Sequence, residues 1–254
     1  MILPLLLVGA VGGLLSGMFG VGGGFIMVPL LMWLANMDQR RAAATSLLAV
    51  VPIAAVSAIG YGVQGEIDLS AALIVAGGAL VGAPIGTWLL RRLPLGWLLW
   101  LFIAGMLVVA VRLVLVAPER GAEVEFSTGV LFGYLLLGLV MGTASGMFGI
   151  GGGVIAVPVL MTVFGMGDLL ARGTSLVALI PAAILSSSIN LKAGMLSVRD
   201  AAIVAAPALP ASIAGVWLAF LIPPAVGGIL FAALLLALAA QLAFRDLRKR
   251  RAAR

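Results

Sequence analysis

The sequence predicts an all-α polytopic membrane protein. It reads as two homologous repeats of about five helical segments each, inverted relative to one another, with the first segment of each repeat broken by glycines. Three observations lead there: composition, a long internal repeat, and the placement of the few charges. Hydrophobic residues make up 63% of the chain and charged ones 9%, with a mean hydropathy of +1.28. A soluble domain needs about a quarter of its residues charged to cover its surface. The stretch SGMFGVGGGFIMVPLLM (Ser16 to Met32) recurs in the second half as SGMFGIGGGVIAVPVLM (Ser145 to Met161), identical at 13 of 17 positions. The same offset, without a gap, pairs Thr45-Ser46-Leu47 with Thr174-Ser175-Leu176, Pro52 with Pro181, Trp88 with Trp217 and Pro94 with Pro223.

Apolar runs bounded by turn or charge signals fall at 3–19, 22–36, 40–62, 69–90 and 95–117, and again at 126–148, 151–166, 171–191, 198–220 and 224–244. A membrane span needs roughly 20 apolar residues, so little chain is left for anything but spans and turns. Residues 1–117 form the first transmembrane repeat, 118–125 an inter-repeat loop, 126–244 the second repeat, and 245–254 a basic tail with six Lys or Arg. The opening stretch from Met1 to Gly24 lacks a basic n-region and has a twin in mid-chain, so it reads as part of the fold and not as a signal peptide.

The charges choose between two topologies. If 3–36 were one long span, the repeats would be parallel and Arg40-Arg41 and Arg91-Arg92 would lie opposite the basic tail. If the glycine cluster reverses the chain, the repeats are inverted. Arg40, Arg41, Arg91, Arg92, Lys192, Arg199 and the tail then share one side, while Glu66, Asp68, Glu119, Glu123 and Glu125 face the other with Arg112, Arg120 and Arg172 as exceptions. The positive-inside bias favours the second arrangement, with a cytoplasmic C-terminus. Charge alone leaves open whether the glycine-broken segments are re-entrant hairpins or full spans.

Glycines at spacing four (Gly9, Gly13, Gly17; Gly138, Gly142, Gly146; Gly78, Gly82, Gly86) read as grooves for close helix contact. The clusters Gly20 to Gly24 and Gly149 to Gly153 are different. Consecutive glycines cost a helix about 1 kcal/mol each relative to Ala, and supply a sharp reversal with uncovered amides. The segments that follow begin with free N–H groups at the positive end of a helix dipole, a ready anion site. Two such termini plus hydroxyl bonds reach ~4 kcal/mol, which is millimolar affinity.

The candidate substrate-binding residues are therefore Gly22, Gly23, Gly24, Gly151, Gly152 and Gly153, with the hydroxyls of Ser16, Thr45, Ser46, Ser145, Thr174 and Ser175. For a single Ser or Thr, a bond to its own helix is the commoner use; the duplication is what raises these above packing. Asn190 and Lys192, with Ser186 to Ser188, make the second half more polar than the first. Lys192 and Arg112 read as side chains snorkelling to the interface, and Trp88, Trp97, Trp100 and Trp217 as an aromatic belt.

The chain has no Cys and no His. That excludes thiolate chemistry and imidazole metal ligation, leaves Ser16 and Ser145 without an imidazole base, and implies no cofactor and no enzyme. The carboxylates sit at segment ends, against a cation carrier. The basic tail points to anionic lipid, not nucleic acid.

The doubled SGMFG(V/I)GGG…VP..LM followed by (A/G)TSL…P resembles the sulfite exporter TauE/SafE family over nearly the whole chain. The resemblance implies a multi-pass permease of the cytoplasmic (inner) membrane of a prokaryote that moves a small sulfur-containing oxyanion such as sulfite, thiosulfate or an organosulfonate. Transport of another small anion or of a cation, or a structural membrane protein, are the alternatives. Which anion, the direction, the driving force and the oligomeric state, a homo-oligomer included, stay open at this level.

Overall fold

The structure is a computed structural model that describes residues 2–115 and 128–252. The 118–125 loop, the Arg112 side chain and the basic side chains of the tail lie outside the described residues. The described chain is helical with no strand. In order the helices are α1 (Ile2–Phe19), α2 (Gly24–Leu34), α3 (Gln39–Val63), α4 (Leu69–Arg92), α5 (Leu95–Leu115), α6 (Thr128–Phe148), α7 (Gly153–Thr162), α8 (Asp168–Lys192), α9 (Val198–Leu221) and α10 (Pro224–Ala252). Among the described residues, seven stretches are long and apolar enough to cross a membrane, on α1, α3, α4, α6, α8, α9 and α10. This is a polytopic all-α membrane protein.

The helices break where the local chemistry requires it. Asp38 caps α3 by accepting from the Arg41 amide, Asp68 caps α4 through Ala71, and Ser197 caps α9 through Asp200. Large apolar side chains on the outside, among them Leu73, Val81, Trp88, Phe132, Ile213 and Trp217, are more than half exposed. Such a surface is unfavourable in water and costs nothing against lipid tails.

α2 and α7 are too short to span. At 11 and 10 residues they are about 16 and 15 Å long, half of a hydrocarbon core. α2 folds back along α1, so that Gly12 faces the Met27 side chain. The glycine clusters thus open half-helices that double back. The basic tail differs from expectation in another way: α10 continues through the 245–252 stretch without stopping at the end of its apolar run.

Glycine stripes fix the closest contacts, and they run between the halves. Gly9, Gly13 and Gly17 of α1 lie against Val204, Ala208 and Ser212 of α9, so position numbers rise together along both helices. Gly78, Gly82 and Gly86 of α4 meet Leu135, Leu139 and Thr143 of α6 in the same sense. Between α3 and α8 the sense reverses. Gly173, near the start of α8, lies against Tyr61, near the end of α3.

Charged ends assemble accordingly. Arg40 donates to the Leu93 carbonyl at 3.1 Å, joining the start of α3 to the end of α4. A surface recess lined by Leu5, Asp38, Arg41 and Asp200 brings the start of α9 to the same end. Trp100 donates to Asp246 at 3.1 Å, which brings the last turns of α10 there as well. At the other end, Thr174 accepts from the Asp68 amide.

Candidate functional site

The two glycine clusters, one from each half of the sequence, meet in the interior. Gly20, Gly22 and Gly23 have φ of 68°, 77° and 73°, and Gly149, Gly151 and Gly152 have 72°, 74° and 83°. That region is disfavoured by a Cβ, which is why each reversal is written in glycine. Gly24 lies against Gly149 and Ile150, and Gly153 against Val21 and Gly20. All of 20–25 and 149–154 is buried.

Gly23 and Gly152 are the N-caps of α2 and α7, and neither helix has a side-chain cap. The first N–H groups of a helix find no acceptor within it, so both termini keep donors and partial positive charge inside the protein. Ser16 sits beside Gly23: a Cβ on Gly23 would come within 2.9 Å of the Ser16 Cβ. The Ser16 and Ser145 hydroxyls are fully buried and have no hydrogen-bond partner.

Of the other four predicted hydroxyls, Ser46, Ser175 and Thr174 are engaged. Ser46 Oγ donates to Gly149 O at 2.7 Å and Ser175 Oγ to Gly20 O at 2.6 Å, each helix holding the glycine loop of the opposite half. Each also lies near a carbonyl of its own helix, at 3.1 Å for Ala43 and 2.9 Å for Arg172. With one proton per hydroxyl, these two serines position the loops in this conformation and have no donor left over. Thr174 Oγ1 receives the Asp68 amide at 2.9 Å, and Thr45 is buried one residue before Ser46.

Between the loops stand two apolar side chains, Val50 of α3 and Leu179 of α8, which occupy equivalent positions in the two halves. A Cβ on Gly22 would touch Val50 at 3.1 Å and Leu179 at 3.2 Å; one on Gly151 would touch them at 3.2 and 3.6 Å. Both are fully buried near the middle of their helices. A Val–Leu pair, one side chain from each half, thus lies beside both glycine loops at the centre of the molecule.

Arg172, near the start of α8, is buried, being only 6% exposed. It donates to Met18 O at 2.7 Å, pairs with Asp168 at 3.3 Å, and lays its Cβ and Cγ against Gly20. A signal was present: Asp168 and Arg172 are spaced i, i+4 at the head of an apolar run, where the first half has Gln39 and Ala43. Among the described residues, no cluster of three metal-ligating side chains occurs.

Comparison with known proteins decides the family. The family model "Sulfite exporter TauE/SafE" matches residues 1–113 and 134–254. The chain belongs to this family. As a TauE/SafE member it has relatives named as transporters: "Probable membrane transporter protein YdhB" of Bacillus subtilis is 30% identical over 176 residues, covering 68% of this chain and 71% of the relative. YunE of the same organism, named in the same way, is 26% identical with the same coverage. A like-named protein of Methanocaldococcus jannaschii is 26% identical, covering 63% of this chain and 62% of its own length. This TauE/SafE chain is accordingly a membrane transporter.

Proposed function

We propose that this permease carries a small sulfur-containing oxyanion, such as sulfite, thiosulfate or an organosulfonate, held between the two glycine loops. The observation that carries the reading is the pair Ser16 and Ser145: two buried hydroxyls without partners, at matched positions, each preceding an uncapped helix N-terminus. A buried donor left unpaired costs about 1–3 kcal/mol, and an acceptor-rich anion removes that cost. The amides at Gly22 to Gly24 and Gly151 to Gly153 complete the donor set. Ser46 and Ser175 hold the loops, and Thr45 and Thr174 stand next to them.

Weak binding suits transport, because cargo must leave. The two termini at up to ~2 kcal/mol each give millimolar affinity. In the closed conformation Val50 and Leu179 occupy the space beside Gly22 and Gly151. Passage then requires α3 and α8 to separate there, alternately toward each end.

The repeats, with the boundaries given above, read as inverted. In support, α3 and α8 meet with opposite sense, and Arg40, Arg41, Asp200, Leu93 and Asp246 gather at one end. By the positive-inside bias that end is cytoplasmic, in a prokaryotic inner membrane.

The test is flux in proteoliposomes. The parent should carry sulfite or thiosulfate and neither chloride nor Na⁺, and Ser16→Ala with Ser145→Ala should reduce affinity at least about tenfold while the protein stays folded. Unchanged transport in that double variant would move the site away from the loops.

A further inference from the structure

The Ser and Thr hydroxyls of the spans divide by how they are satisfied. Thr87, Thr143, Ser188 and Ser212 bond back to their own helices, at 2.9, 2.8, 2.9 and 2.8 Å. Ser46 and Ser175 bond across to the opposite glycine loop. Beyond Ser16 and Ser145, three more serines, Ser57, Ser186 and Ser187, are buried with no partner, and so are both polar atoms of Asn190. Bonding back to the helix is open to any serine in a span, so its absence at two adjacent interior positions of α8 sets them apart from Ser188 next door.

Ser186, Ser187 and Asn190 lie on one face of α8, because i, i+3 and i, i+4 positions are neighbours. That face is the buried one. Leu179, Ala182, Ala183, Ser186, Ser187 and Asn190 are buried, while Ile184, Ser188 and Leu191 are exposed. The stripe starts at the central closure. Ser187 stands about 12 Å and Asn190 about 16 Å along the helix from Leu179. Just beyond is the exposed Lys192, at the end of the molecule that carries Arg40 and Arg41.

The first half keeps only one member of this set, Ser57 at the position of Ser186. Its counterparts to Ser187 and Asn190 are Ala58 and Tyr61, and the Tyr61 hydroxyl is spent on Gly17 O at 2.8 Å. So one side of the closure is sealed by a bonded phenol, and the other presents two hydroxyls and a carboxamide with nothing to bond. Buried polar groups are almost always paired, so three unpaired neighbours on one helix face point to a ligand that completes them.

We propose that Ser186, Ser187 and Asn190 form a second, staging site for the transported oxyanion on the basic side of the Val50–Leu179 closure, with Asn190 as its selectivity residue. The class of ligand rests on the oxyanion reading above; the location does not.

The absence of cysteine makes the test clean. Ser187→Cys, Asn190→Cys and, as the lipid-facing control, Ser188→Cys each carry the sole thiol of the full chain. They are treated in proteoliposomes with an anionic methanethiosulfonate, using sulfate and ethanesulfonate as protectants because sulfite would consume the reagent. The two interior thiols should label from the basic side and be protected by ethanesulfonate, and the control should not label. In parallel, Asn190→Leu should raise the dissociation constant for ethanesulfonate about tenfold, and raise the melting temperature because an unpaired amide leaves the interior.

Absence of labelling overturns the proposal, since the face is then only packing. Labelling that no anion slows overturns it too, because the recess then holds water alone. Unchanged affinity in Asn190→Leu removes Asn190 from the site. Protection by nitrate or phosphate but by no sulfur oxyanion keeps the staging site and overturns the sulfur reading instead.

Discussion

Glycine does two different jobs in this protein, and the contrast separates architecture from function. Along α1, α4 and α6, glycines every four residues let another helix's carbonyl oxygens approach where a Cβ would stand. There the absent side chain is itself the contact, as expected in lipid, where small residues permit close helix packing. In the two loops Gly20, Gly22, Gly23, Gly149, Gly151 and Gly152 sit at positive φ, and the short helices that open at Gly24 and Gly153 have no side-chain cap on their first amides. There the absent side chain allows a conformation and gives access to the backbone. A ligand needs the second kind, and the fold needs the first.

The sharpest way to break this comparison is to fill a stripe. Gly82→Leu should cost about 3 kcal/mol or more and prevent recovery of a monodisperse protein from detergent, because its Cβ would collide with the Leu139 carbonyl. A folded Gly82→Leu protein on size-exclusion chromatography would show that the stripe is not a tight contact.

Next comes the closure that the loops flank. Leu179→Ala should cost about 3 kcal/mol in thermal or denaturant unfolding, yet raise passive anion flux through the liposome wall, since it removes half of the pair beside Gly22 and Gly151. Lower flux with the same stability loss would assign Leu179 to packing alone.

Loop glycines themselves are not equivalent as probes. A Cβ on Gly23 meets Gly12 O at 2.5 Å and the Ser16 Cβ at 2.9 Å, so any substitution there confounds binding with folding. A Cβ on Gly151 meets nothing nearer than the tips of Val50 at 3.2 Å and Leu179 at 3.6 Å. Gly151→Ala should therefore fold with about 1–2 kcal/mol of backbone strain and show weakened sulfite binding by calorimetry. Binding equal to the parent's would reduce the loops to turns.

A smaller effect belongs to a hydroxyl with a local job, and the smallest to an exposed lysine. Thr174→Val should cost about 1 kcal/mol through loss of the acceptor for the Asp68 amide, read as a lower melting temperature. Lys192→Met, exposed at the end of α8, should stay within about 0.5 kcal/mol of the parent.

Much of the fold was legible in the sequence. Ten helical segments, the two breaks and the duplicated motif followed from apolar run length and glycine placement, because lipid forces every backbone group to be satisfied inside its own segment. Run boundaries at 22–36 and 151–166 were too long only where glycine and turn residues trimmed α2 and α7. The continuation of α10 past Phe244 was not legible, since helix propensity in a Lys- and Arg-rich stretch leaves no apolar signal.

What the sequence by itself determined was the segment count, the doubled glycine breaks and the chemistry of the donors at hand. These depend on neighbours along the chain, because the first amides of a helix find no acceptor within that helix. What only the tertiary structure decided was which donors are already taken. Thr45, Ser46, Thr174 and Ser175 looked equivalent to Ser16 and Ser145, yet Ser46 and Ser175 are bound to the opposite loop, Arg172 is drawn inside beside Gly20, and Ser186, Ser187 and Asn190 are left open. The physical reason is that a hydroxyl's partner depends on which helix crosses it, and here α1 packs on α9 and α4 on α6, each a helix of one half against a helix of the other.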